Sequence, residues 1–127
     1  MTDYDGQDAI ITYLNGLAWT ALTKPAFQQD FQKRNTEVPN VVIVSEVGIT
    51  PKRLTESEYS LTHHLAVQFI RDTKANTWAN LKYILVNLWA MSDNNSLYTI
   101  DDDIQVDYAD TRKIFTIAVD YIELLTM

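Results

Sequence analysis

The chain has 127 residues, no cysteine, and 17 acidic against 10 basic residues, which gives a formal net charge of -7. A chain of this length usually forms one domain with a sizeable core, so we expect a single domain over residues 1–127. The absence of cysteine excludes disulfides, thiol catalysis and cysteine-bound zinc. The acidic balance disfavours binding to nucleic-acid phosphates.

The sequence predicts a protein that neither crosses a membrane nor carries an export signal. Its apolar runs are far shorter than the roughly 20 residues that span a bilayer. Its first residues, MTDYDGQDA, are acidic where a signal peptide would be basic and then apolar. We therefore expect a soluble protein with no membrane partner.

The N-terminal half predicts a helix, a strand and a loop. Residues 6–22 place apolar side chains at helical spacing, and we expect this helix to end before Pro25. Residues 26–39 are too polar to assign. Residues 41–47 are β-branched and predict a strand, whereas residues 48–58 predict a long polar loop.

Residues 59–70 alternate between apolar and polar side chains, the period of a half-buried strand. The two histidines of the chain, His63 and His64, are adjacent within it. They therefore point to opposite faces and cannot share one metal ion. We expect His63 to be a hydrogen-bonded structural residue on the apolar face, and neither histidine to be catalytic or metal-bound.

The C-terminal half predicts a helix followed by a hairpin. Residues 76–91 change to helical period, with a stripe of apolar residues predicted to pack on the sheet: Trp78, Leu81, Leu85, Leu88 and Trp89. Residues 92–96 predict a turn, and the alternating segments 104–108 and 113–124 predict a hairpin. The strand residues expected opposite the stripe are Leu61, Leu65, Val67, Phe69, Phe115, Ile117 and Val119.

The order of these elements predicts an α+β fold, with an antiparallel or mixed β-sheet and two helices packed on one face. The catalytic motifs sought are absent: no phosphate-binding loop, dinucleotide fingerprint or serine nucleophile elbow occurs. The acidic run Asp101, Asp102 and Asp103 offers hard oxygen ligands for Mg²⁺ or Ca²⁺. Neighbouring residues of a strand point to opposite sides, however, so we interpret the run as a solvated start of a strand. We expect no enzyme activity, catalytic residue, cofactor or metal.

Several aromatic residues lie away from the predicted apolar stripes. Trp19 and Tyr83 are off the stripes of their helices, and Tyr98 precedes the acidic run. Tyrosine and tryptophan are typical of interfaces, but such side chains more often lie at the rim of a core. Both interpretations stay open.

The size, acidity and element order resemble the tail-terminator proteins of long-tailed bacteriophages, also called tail-completion or tail-to-head joining proteins. The resemblance spans nearly the whole chain and is one of pattern and order. The segments that carry it are GQDAIITYLNGLAW, VVIVSEV, GITPKRLTESE, YSLTHHLAVQFI, NTWANLKYILVNLWAM and IFTIAVDYIEL.

The resemblance implies a structural virion protein that forms a homo-oligomeric ring, expected to be a hexamer, at the head-proximal end of the tail tube. Such a ring ends tube polymerisation and joins tail to head. Its partners would be copies of itself, the tail-tube protein and the head connector, and DNA would pass through without specific binding. The protein would be found in the virion and, before assembly, in the host cytoplasm.

Two groups of residues are candidates for contacts in such a ring. Residues 48–58 are long for a connection in a compact domain, and long connections are often functional. Its charged residues are predicted to form one subunit interface: Lys52, Arg53, Glu56 and Glu58. Asp101, Asp102 and Asp103 are predicted to meet the bases of a neighbour or to face the lumen. The alternative from another class is a small acidic binding or regulatory module that acts on a host protein.

Overall fold

The computed structural model describes residues 6–19, 24–29, 40–72, 78–109 and 111–127. The elements in chain order are α1 (Gly6–Asn15), β1 (Ala26–Gln29), β2 (Asn40–Arg53), β3 (Glu58–Asp72), α2 (Trp78–Asn94), β4 (Tyr98–Ala109) and β5 (Arg112–Thr126). The five strands form one sheet in the order β1-β2-β3-β5-β4. β1 is parallel to β2 and the other neighbours are antiparallel, so the predicted α+β fold with a mixed sheet is confirmed.

Both helices pack on the same face of the sheet, as predicted. One buried cluster joins side chains of α1 and α2 to alternate residues of β2, β3 and β5, as expected for a period of two along a strand. Its members include Ile10, Leu14, Val42, Val44, Leu65, Val67, Phe69, Leu81, Ile84, Leu88, Phe115, Ile117 and Val119. A smaller buried cluster, formed by Val41, Ile43 and Ile70, contains the alternate residues of β2 and β3.

The face of α2 that is buried differs from the predicted apolar stripe by a rotation about the helix axis. Leu81 and Leu88 are buried as predicted, but the fully buried Ile84 lies between them. Trp78 and Trp89 are 56% and 48% exposed, so their prediction as core residues is wrong. They lie about 120–140° around the helix axis from Ile84, which takes them off the face that touches the sheet. Leu85, closer to Ile84 on the helix, is partly buried, and so is Leu61 on β3.

α1 ends earlier than predicted, at Asn15. The next two residues close its last turn, with Gly16 N donating to Thr12 O at 3.0 Å and Leu17 N donating to Leu14 O at 3.3 Å. A glycine directly after a helix is a common end, because glycine disfavours the helical backbone. Residues 20–22, the last part of the predicted helix, lie outside the described residues.

The segments left unassigned or treated as loops contain more strand than predicted. Residues 26–29 form β1 and pair with residues 41–44 of β2, while residues 30–39 lie outside the described part. The predicted loop over residues 48–58 is wrong, since residues 48–53 continue β2 and pair with residues 59–64 of β3. Only residues 54–57 form the turn between the two strands.

β4 begins at Tyr98, which is six residues before the predicted start at Ile104. The pairs Ile100↔Val119 and Ile104↔Ile117 show that two extra residues of β4 are accommodated between them. Asp101, Asp102 and Asp103 lie in this bulge, inside the strand and not at its start. A bulge bends its strand and interrupts the ladder, which places these three residues at an irregular, exposed edge.

Trp19 and Tyr83 pack against each other at the rim of the core. Their ring centroids are 4.8 Å apart and the planes meet at 75°, an edge-to-face contact. Trp19 Nε1 donates to Leu14 O at 3.1 Å, and the Tyr83 hydroxyl donates to Ala18 O. The pair therefore holds the segment after α1 against α2. Both aromatic rings take part in packing within the chain.

We expect Tyr83→Phe to lower the free energy of unfolding by about 0.5–1.5 kcal/mol, since it removes one hydrogen bond and keeps the ring. Urea denaturation measures the change. The matched control is Tyr108→Phe, because Tyr108 is 66% exposed on β4 and should change little. Equal losses in the two variants would contradict a specific role for the Tyr83 hydroxyl.

Candidate functional site

The hairpin of β2 and β3 extends beyond the hydrophobic core as a three-stranded projection. We call this projection the arm and define it as residues 48–62 together with residues 122–126. Its strands pair continuously, for example through Thr50↔Thr62 and Thr62↔Ile122. Every residue from 49 to 58 is exposed. The six residues 48–53 alone span about 20 Å at the usual rise of a strand.

The tip of the arm is held by a dense set of hydrogen bonds. Leu54 N and Thr55 N both donate to Glu58 O, at 3.0 and 3.1 Å. Thr55 Oγ1 accepts from Ser57 N and Glu58 N, at 3.3 and 3.0 Å. Met127 N, from the end of the chain, donates to Ser57 O at 2.7 Å. The tip is therefore a defined turn with its backbone groups paired.

The structure brings the four predicted interface residues together at this tip. Lys52 pairs in register with Ser60 and Arg53 with Tyr59, so the two bases lie on opposite faces of the arm. Arg53 also donates to Thr55 O at 3.1 Å and to Glu56 O at 3.3 Å. Within the described ranges, no salt bridge joins Lys52 or Arg53 to an acid. Their role at a subunit interface stays a prediction.

The arm also exposes large apolar side chains that the loop prediction missed. Ile49 is 51% exposed and Leu54 is 47% exposed, and Leu124 on β5 is 63% exposed. Val47, directly before the arm, is 67% exposed. Ile49 pairs with His63 and Leu124 pairs with Ser60, so the arm exposes apolar side chains on both of its faces. A signal was present in the sequence, because the long alternation of β3 requires a partner strand longer than residues 41–47.

The acidic residues of β4 line a groove on the sheet face opposite the helices. The groove has a volume of about 450 Å³, and its lining includes Asp101, Asp103, Gln105, Asp107, Gln68 and Ala118. Asp102 is exposed in the same bulge. β3 and β5 separate β4 from β2, so the tip bases and these acids belong to different strands of one chain. Among the described residues, no group of three or more His, Asp or Glu side chains is arranged to hold a metal ion.

The two histidines lie where the arm meets the core and point to opposite faces, as predicted. On the helix side, His63 Nδ1 lies 2.6 Å from Glu46 Oε1, and its Nε2 lies 3.2 Å from Glu123 Oε1. On the other face, His64 Nδ1 lies 2.8 Å from Asp120 Oδ1, and its Nε2 lies 2.6 Å from Thr50 Oγ1. Each histidine therefore connects its own strand β3 to both neighbours, β2 and β5.

The pKa of His63 is raised above its ordinary value of 6.5. Burial lowers the pKa of this imidazole, but the hydrogen bonds and negative charges of Glu46 and Glu123 together raise it by more. His63 is thus buried, with 8% of the residue exposed, and hydrogen-bonded on both ring nitrogens, as predicted.

α2 presents a second exposed surface, formed by Trp78, Val86 and Trp89. Val86 is 56% exposed, much like the two tryptophans. Lys113 Nζ lies 5.3 Å from the ring centroid of Trp78, a cation–π contact that orients one of them. The sequence pattern placed both tryptophans in the core, so this surface was not predicted.

The chain matches no protein-family model and no curated protein. Its fold and surfaces define it as an α+β domain with an ordered arm, an acidic groove and an exposed helix face. Neither α1 nor α2 has the length and apolar content needed to cross a membrane.

Proposed function

We propose that this protein is a tail terminator of a long-tailed bacteriophage. In this proposal, identical subunits form a ring, expected to be a hexamer, that ends polymerisation of the tail tube and joins the tail to the head. The observation that carries the proposal is the arm, an ordered projection with exposed apolar and charged side chains. The resemblance in element order supports the same function.

An arm of this kind suits a ring because a closed cyclic assembly uses two different patches on each subunit. The arm tip, with Lys52 and Arg53, supplies one patch in this proposal, with Glu56 and Glu58 at its border. The acidic bulge supplies the other, through Asp101, Asp102 and Asp103. Lys52 and Arg53 attract the acids of a neighbour's bulge, whereas two bulges repel each other. Glu56 and Glu58 leave the four tip residues with no net charge, so the support for head-to-tail association rests on contacts of these two bases with the bulge.

As the alternative to contact with a neighbour's bases, Asp101 and Asp103 face the lumen together with the rest of the acidic groove. A lumen lined by carboxylates repels phosphates, so DNA passes without specific binding. The remaining partners in the proposal are the tail-tube protein and the head connector. The protein acts in the virion, at the head-proximal end of the tail. Before assembly it is located in the host cytoplasm. It uses no catalytic residue and no cofactor.

The proposal is tested by the mass and shape of the assembled protein. We expect multi-angle light scattering to give a closed oligomer, either for the protein alone or after addition of tubes of the tail-tube protein from the same phage. Negative-stain images should show rings of matching diameter capping one end of each tube. A protein that stays monomeric under both conditions would overturn the tail-terminator function.

The exposed face of α2 favours a second candidate, a small acidic module that binds and regulates a host protein. Tryptophan is enriched at protein interfaces, and Trp78 and Trp89 lie on the same exposed side of α2. Such a module would remain a monomer or dimer and leave tube ends uncapped. The same experiment therefore separates the two functions.

A further inference from the structure

His63 occupies a position where protonation changes the connections between all three strands of the arm. Its two ring nitrogens face one carboxylate each, Glu46 on β2 and Glu123 on β5. Only the imidazolium carries an N–H on both nitrogens. The neutral ring donates to one carboxylate and turns a lone pair towards the other, so one of the two interstrand hydrogen bonds is lost on deprotonation.

Loss of this hydrogen bond costs more free energy at His63 than it would in water, because the side chains involved are buried or partly buried. Its side chain is 10% exposed, and those of Glu46 and Glu123 are 34% and 22% exposed. The titratable groups that face the ring include these two glutamates and Tyr121 of β5, whose ring centroid lies 6.5 Å away. Without the positive charge between them, two partly buried carboxylates repel each other across β3.

The ladder between β2 and β3 is interrupted at the same place. The register of β2 on β3 shifts between Glu46 and Gly48, which leaves Val47 as an extra residue. On the core side of this shift, β2 is held by fully buried residues such as Val42 and Val44. On the arm side, residues 49–58 are exposed, so the arm is held by backbone pairing and by side-chain contacts at the junction rather than by a core of its own.

We propose that His63 is a proton-dependent clamp that fixes the arm to the core, so that the arm loosens at alkaline pH while the core remains folded. The clamp is a conformational device built into the fold, and it does not depend on whether the protein forms a ring.

The direction of the effect follows from the raised pKa of His63. The stabilisation is present in full below the unfolded value of 6.5 and is lost as the pH rises through the higher folded pKa. The arm is therefore held more firmly below the folded pKa of His63 than above it.

Amide hydrogen exchange of the whole chain, resolved by NMR and corrected for intrinsic exchange, tests the clamp. We compare about pH 6, which is below the ordinary pKa of histidine, with about pH 8.5, which is well above it. Protection of arm amides such as Thr50 and Leu61 is expected to fall several-fold at the higher pH. Protection of core amides such as Val67 and Ile117 should stay unchanged. Equal protection of the arm at both pH values, or a parallel loss in the core, would overturn the clamp.

Two variants link the effect to His63. His63→Gln keeps a polar side chain without the titratable ring, and should remove the pH dependence of arm protection. Its matched control is His64→Gln on the other face, which should retain that dependence. If His63→Gln does not fold, Glu123→Gln replaces it: the imidazole titration should then show a lower pKa for His63 and a smaller change in arm protection. A pKa of His63 unaltered in Glu123→Gln would also contradict the clamp.

Discussion

Ile84→Ala is expected to lower the free energy of unfolding by about 2–5 kcal/mol, the range for truncating a buried aliphatic side chain. Ile84 is fully buried on the face of α2 that packs on the sheet, between Leu81 and Leu88. The loss combines the transfer of the removed methylene groups to water with the cavity left in a close-packed core. Urea denaturation with an unchanged m-value measures it.

Leu85→Ala is the matched control for Ile84. It removes a side chain of the same size from the next position on α2, where the residue is only partly buried. Its cost should be about half that of Ile84→Ala or less, since less apolar surface is involved. A larger loss for Leu85 than for Ile84 would contradict the rotation of α2 that the structure shows.

Reversing both bases of the arm tip, Lys52→Glu with Arg53→Glu, is expected to weaken ring assembly while leaving the fold intact. Both side chains are exposed and outside the core. In the proposed ring each contact would turn from attraction into repulsion, and we expect at least about a tenfold loss of association per contact. Sedimentation velocity across protein concentrations measures the loss. Assembly that remains should be more sensitive to salt, because exposed charges are screened.

The control for this variant is Lys24→Glu with Lys82→Glu, which makes the same change in net charge at exposed positions away from the arm. It should assemble like the unchanged protein. Adding Asp101→Lys and Asp103→Lys to the tip reversal should restore assembly if these acids are the partners in the neighbouring subunit. If the tip reversal leaves assembly unaltered, the arm is not a subunit interface, although the ring itself is not contradicted. If the unchanged protein does not assemble, the proposed ring is contradicted.

The sequence by itself determined the class of fold and the direction of several side chains. The alternation of residues 59–70 and 113–124 predicted β3 and β5, the two central strands, and the helical period of residues 76–91 predicted α2. The adjacency of His63 and His64 predicted their opposite faces. These features follow from local geometry, because a strand repeats every two residues and a helix every 3.6. No distant part of the chain is needed to read them.

Three features could be known only from the tertiary structure: the arm, the bulge in β4 and the partners of the two histidines. Residues 48–53 carry Gly48, Pro51 and two bases, a composition typical of a loop. They form a strand because β3 is fifteen residues long and pairs with them. Asp101 to Asp103 enter β4 because the pairs on either side of them hold the register. Glu46 and Glu123 reach His63 from 17 and 60 residues away. Pairing and ion contacts of this kind depend on which strands become neighbours, and that is decided by burial of the whole core rather than by any local pattern.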